Sequence, residues 1–284
     1  MARGVQQYID AVAQLHASGE NSLVSVIVFG SAASGAFSES SDVDLILVLP
    51  NEVALNDRRR LRGTISDLEI AHGLRLPASH RKNSLEVFVE HAGGEAHSCF
   101  FCTRDDLISG DAARVFGLRP VEKLLVDRIV LASVIVSAKT VCGEELLSLI
   151  PLPSIRRLDV FKSLFGLAGV TLLSVVAFPI LCDATRYGMS ALKHSLHSCY
   201  FCYHLKAAPL SDEVEFFNSR LGRSETLLDL LKQRREYRRS FRFVLRCVPV
   251  LFRLHLKTAL DNQFPRAVAG EDTPGYRSRP PALP

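Results

Sequence analysis

Apolar and polar positions keep two different rhythms in the two halves of the chain. Residues 4–18 place Val5, Ile9, Val12 and Ala13 on one helical face, which predicts an amphipathic helix. Residues 23–29 (LVSVIVF) and 43–49 (VDLILVL) are short apolar runs rich in β-branched side chains and bounded by small or polar residues, the pattern of buried strands. Residues 56–72 predict a helix that opens on a charged face (Asp57, Arg58, Arg59, Arg60, Arg62). Two more strands are predicted at 84–89 (SLEVFV) and 97–103 (HSCFFCT), then a short helix or turn over 105–116.

From residue 122 the rhythm changes to long apolar-periodic stretches, 122–150, 156–181, 184–206, 211–231 and 233–256. They are broken at Pro151, Pro153, Pro179, Pro209 and around Gly222, and no strand alternation survives there. The expected fold is therefore α+β: a strand-bearing domain over 1–120, a helical bundle domain over 121–262, and a disordered tail over 263–284, where five prolines fall within the last twenty residues.

Composition sharpens this picture only modestly. The chain has 284 residues, enough for one large or two ordinary domains, and its net charge of +4 fits an anionic small substrate or a nucleic acid without demanding either. Seven cysteines, an odd number, argue against a disulfide framework and for a reducing, cytoplasmic compartment. The N-terminal helix lacks the apolar core of a secretory signal. Residues 163–182 carry no charge over a length that could cross a membrane. Ser163, Thr171, Ser174, two glycines, Pro179 and the lack of flanking aromatic belts favour a central bundle helix, and a membrane is not an expected partner.

The candidate chemistry lies in residues 28–46, VFGSAASGAFSESSDVDLI. Asp42 and Asp44 stand at i and i+2 of a strand, so both carboxylates point to one face, ~6–7 Å apart. Two such acids repel each other unless a cation neutralises them. Hard oxygen ligands suit Mg²⁺, and two ions ~3.5–4 Å apart clamp the attacking and leaving oxygens of an in-line phosphoryl displacement. Gly30 ends the preceding strand where backbone must approach a ligand, and Ser31 with the free N–H groups of a following helix would hold terminal phosphates. Small residues follow (Ala32, Ala33, Ser34, Gly35, Ala36) and leave room for a triphosphate.

The order apolar–Gly–Ser–x10–Asp–apolar–Asp–apolar resembles the signature of the DNA polymerase beta-like nucleotidyltransferase superfamily, nearest to its minimal and aminoglycoside-modifying members. The resemblance implies a short mixed sheet flanked by helices, usually followed by a helical domain, and a third acid on a later strand. Glu86, in Leu85-Glu86-Val87, matches that setting, and Glu90 on the same strand face is the reserve candidate. It further implies that Asp42, Asp44 and Glu86 bind two Mg²⁺ ions (or Mn²⁺), that Glu86 orients or deprotonates an acceptor hydroxyl, and that Gly30 and Ser31 grip the phosphates of an NTP. The reaction would move a nucleoside monophosphate, AMP in the favoured reading, to a hydroxyl on a small molecule or protein. Two alternatives stay open: an RNA- or tRNA-directed transferase, and a non-catalytic nucleotide-binding module.

Weaker signals surround this one. HSCFFC (97–102) and HSCYFC (197–202) each hold a Cys-x-x-Cys pair, but i and i+3 on a strand face opposite ways and neither pair has a tight metal turn, so core cysteines are expected rather than zinc. Residues 232–246, KQRREYRRSFRFVLR, place Arg235, Arg239, Arg242 and Arg246 at helical spacing. They are read as a solvated basic face with RNA as the functional alternative, extended by Arg58–Arg62. Arg186, Lys193 and His197 share a helix face, and Lys193 and Arg186 are candidate contacts for the triphosphate or the acceptor.

Overall fold

The strands at 25–29 and 44–49 are buried along almost their whole length because both faces of the sheet they form are covered. In the computed structural model, which describes residues 2–18, 23–34, 43–74, 99–118, 127–181 and 183–261, they are the two central strands of a four-stranded sheet. The order of elements is α1 (Ala2–Ala17), β1 (Ser25–Phe29), α2 (Gly30–Ser34), β2 (Asp44–Leu49), α3 (Leu55–Ala71), β3 (Cys99–Thr103), α4 (Arg104–Ile108) and α5 (Ala112–Val115). Then come α6 (Arg128–Ser137), β4 (Lys139–Gly143), a 3₁₀ turn at Leu147–Leu149, α7 (Arg157–Val176), α8 (Ala184–His204), α9 (Leu210–Leu221), α10 (Glu225–Arg235) and α11 (Phe241–Leu260).

The sheet is mixed, in the order β3-β2-β1-β4, with β1 antiparallel to both neighbours and β2 parallel to β3. Side chains alternate across it. Val26, Val28, Leu45 and Leu47 pack on Tyr8, Val12, Leu61 and Ile65 of α1 and α3. Ile27, Phe29, Ile46 and Val48 pack on Leu131, Val134 and Ile135 of α6. Double coverage explains why these strands read as unbroken apolar runs rather than alternating ones.

One stretch departs from the expected all-helical second half. Residues 122–150 do not form a single helix: α6 is followed by β4, which joins the sheet beyond residue 120. Two physical causes hid it. α6 is apolar all round because its other face, Ile129 and Ala132, is buried against Val160, Phe201 and Ala259 of the bundle, so it shows no amphipathic signal that would mark its end. β4 is a half-exposed edge strand of five residues, too short and too polar at Lys139 and Thr140 to alternate visibly. It stops at Gly143, whose φ of 89° and contact with the Val24 carbonyl leave no place for a side chain.

α6 is thus the joint between sheet and bundle. Its N-terminus is fixed by Asp127, which accepts from Val130 N–H at 3.0 Å and from the Ser163 hydroxyl of α7. Burial of that carboxyl pushes its pKa up to about 6.

The bundle consists of α7, α8 and α11 packed on one another, with α9 and α10 against α8 and α11. α7 is long and apolar enough to cross a membrane by length and composition, and here it lies in this bundle. The break expected around Gly222 separates α9 from α10. Residues 232–246 are not a continuous basic helix, because α10 ends at Arg235 and α11 starts at Phe241.

Candidate active site

Register places the two sequence signals side by side. Phe29, the last residue of β1, pairs with Asp44, the first of β2, so the chain leaves one strand and enters the other at the same end of the sheet. Asp44 shares the face of Ile46 and Val48, the side covered by α6, and is half-buried. Gly30 turns the chain out of β1 with φ 68° and starts α2, which packs against β1, β2 and α6. A Cβ built on Gly30 would lie 2.8 Å from Asp44 Oδ2. The position therefore needs glycine twice over: for a backbone that L residues rarely adopt, and because the Asp44 carboxylate occupies the space of the missing side chain.

This corner presents a hard anionic oxygen against a backbone bend with no side chain between them, which suits a divalent cation shared with an oxyanion. Ser31 lies in α2 beside the bend. Asp42, Glu86 and Glu90, together with the expected strand at 84–89, lie outside the described residues, and among the described residues no three His, Cys, Asp or Glu side chains converge as a metal site.

Lys193 and Arg186 sit on α8 in the bundle. The charge of Lys193 acts on Glu213 and His197, and Arg186 lies beside Tyr237. Glu213 was not legible as a special residue. Its position in LSDEVEFFNSRL is that of an ordinary acid in the first turn of a helix, yet it is 1% exposed and its Oε1 meets His197 Nδ1 at 2.6 Å. Burial pushes the Glu213 carboxyl up to about 9 against the opposing pull of Lys193, and burial holds the His197 imidazole below its usual value. Both are neutral near pH 7, and the imidazole tautomer decides which of the two donates. The second oxygen, Oε2, has no hydrogen-bond partner among the described residues.

The basic residues have local duties. Arg239, in the connector before α11, stacks 4.7 Å from the Phe178 ring centroid and donates to the carbonyls of Phe178 and Leu181, closing α7's end against α11. Arg246 faces Glu225 and Asp229. Arg58 donates to the Phe101 carbonyl at 2.7 Å and the exposed Arg62 lies over the Phe101 ring, so both have partners on β3. Cys99 and Cys102 face opposite sides of the sheet, packed with the α1/α3 layer and the α6 layer respectively. Cys199 and Cys202 are buried in α8, and burial raises all four thiols.

Comparison with known proteins fits this geometry. Residues 14–91, which hold β1, the Gly30 bend and β2, match the family model described as Polymerase beta, Nucleotidyltransferase. The whole fold resembles the crystal structure of spectinomycin adenyltransferase AAD(9) from Enterococcus faecialis with ATP and spectinomycin, with a TM-score of 0.54 at 11% identity over 89% of this chain and 98% of that one. No curated protein matches the chain in sequence.

Proposed function

We propose, from the match of residues 14–91 to the polymerase beta-like nucleotidyltransferase family model, that the protein is a nucleotidyltransferase that moves AMP from ATP to a hydroxyl of a small-molecule or protein acceptor. The observation that carries the reading is the contact between Gly30 and the Asp44 carboxylate, which joins the phosphate-side and metal-side halves of the motif in one corner.

In this reading Asp44, with Asp42 and Glu86, would hold Mg²⁺, which supplies charge neutralisation for the triphosphate and the departing pyrophosphate. The backbone at Gly30 and Ser31 holds the phosphates and lines up the α-phosphorus with the acceptor. Glu86, or Glu90 in its place, takes the proton of the acceptor hydroxyl as its oxygen attacks the α-phosphorus and pyrophosphate leaves. The helical domain supplies the acceptor side of the cleft. A small-molecule acceptor is favoured over RNA because the 232–246 stretch is broken between two helices and its Arg239 and Arg246 are engaged within the bundle. Free thiols at all six cysteines among the described residues support a cytoplasmic setting.

The test is incubation of the purified chain with Mg²⁺ and each of the four α-labelled NTPs, in separate reactions with spectinomycin, a cell extract of small molecules, bulk protein and tRNA. Label from ATP in a small molecule or protein is the expected outcome. Label confined to RNA, or none under any condition, would overturn it.

A further inference from the structure

Two bundle helices leave an apolar face that nothing among the described residues covers. On α7 the exposed residues Leu158, Phe165, Leu172 and Val176 fall on one side, with Phe165 67% and Val176 79% exposed. On α11 the corresponding residues are Phe241, Leu245, Phe252, Leu256 and Leu260, again a single stripe at helical spacing.

The two stripes are one surface. Phe178, just past the end of α7, meets Phe241 at the start of α11 with ring centroids 5.2 Å apart, while Val160 near the start of α7 packs with Ala259 near the end of α11. The helices therefore run side by side and antiparallel. Both also pack on α8, so the faces turned away from α8 look the same way. From their exposed fractions the nine side chains together show roughly 800 Å². The largest apolar patch on an ordinary monomer is about 300–600 Å².

We propose that this α7/α11 face is the interface of a two-fold symmetric dimer of this chain. The exposed area matches the ~800 Å² that each partner contributes to an interface of standard size. Lys162, between Leu158 and Phe165, is the charged side chain on the α7 part of this face, and a Cβ added at Gly169 would meet nothing within 4 Å, which lets a second helix approach closely. Two antiparallel helices laid on two others make a four-helix layer, with the same patch used by both copies. The exposed cations of α11, Arg242, Arg253 and Lys257, stand along the outer border of the stripe and stay hydrated at the rim. They also set the salt response. Neither α7 nor α11 has an exposed acid to answer them across the two-fold, so salt strengthens the dimer by screening the rim.

Sedimentation equilibrium on the full chain at micromolar concentration is expected to give twice the chain mass of 31.3 kDa. Self-association should tighten several-fold between about 0.1 M and about 1 M salt. A paired substitution on each helix, Phe165→Glu with Leu172→Glu, or Phe252→Glu with Leu256→Glu, should weaken the dimer at least a hundredfold. Melting temperature at low concentration should hold, since these positions are solvent-exposed. A monomeric wild type, a dimer that survives both double variants, or a monomer that instead sediments with phosphatidylserine vesicles and is released by salt would each overturn the proposal. A truncation ending at residue 261 gives a second reading: a dimer formed only after that cut would show that the tail covers the face, and would also overturn it.

Discussion

Asp44 and Glu213 are both carboxylic acids on regular elements next to apolar cores, and the fold treats them in opposite ways. Asp44 is the first residue of its strand, half-buried, with a backbone bend in place of a neighbouring side chain. Glu213 is turned into the bundle, almost wholly inaccessible, and hydrogen-bonded to His197. The strand end stays partly open to water, which leaves room to hydrate a charge. The bundle interior has no such room, so the acid becomes neutral instead. Whether a carboxylate keeps its charge depends on where its element ends as well as on the residues flanking it.

The contrast can be broken most sharply at Asp44. Asp44→Asn keeps shape and removes the negative charge, and it is expected to lower nucleotidyl transfer by roughly a thousandfold, ~4 kcal/mol of barrier, with an unchanged melting curve. Pyrophosphate release from ATP measures it, and wild-type turnover in the variant would take Asp44 out of the mechanism. Gly30→Ala tests the same corner from the backbone side. The methyl must displace Oδ2, and a displacement near 1 Å costs about a hundredfold in rate, ~3 kcal/mol. The left-handed backbone adds ~1–2 kcal/mol of lost stability. A variant with normal kinetics would mean that the carboxylate can move without consequence.

Glu213→Gln probes the other side of the comparison and should change stability while sparing catalysis. The folded carboxyl has a raised pKa, so the native state binds more protons than the unfolded chain between the ordinary value of 4.5 and about 9, and wild-type stability falls as pH rises through that window. Glutamine does not titrate and its amide can donate to His197 in place of the acid. The variant is therefore expected to match wild type near pH 4 and exceed it by ~2–3 kcal/mol at pH 7, read from urea unfolding at the two pH values. A variant of equal stability at both, or one that loses transfer activity, would place Glu213 with Asp44 rather than opposite it.

The legibility of the two acids in the sequence differs for the same reason. Gly30 and Asp44 announce themselves because their roles depend on local events: a strand ending in a bend, and a strand beginning with a polar residue. The bundle was legible as helices through its 3.6-residue period, and the break after Leu221 through Gly222, but the break after Arg235 was not, since a run of arginines masks it. β4 was missed because α6 is buried on two sides and gives no face to read. The partner of Glu213 lies sixteen residues away on a different helix, a distance that no short motif spans.

The sequence by itself determined the α+β class, the two central strands and the Gly30 and Asp44 ends that carry the candidate chemistry, because backbone preference and strand alternation act over a few residues. Only the tertiary structure decided that Asp44 fills the place of Gly30's side chain, that residues 139–143 complete the sheet, that Glu213 is neutral and internal, and that α7 and α11 share one uncovered apolar face. Those outcomes depend on which elements bury which faces, and burial is a property of the packed chain as a whole.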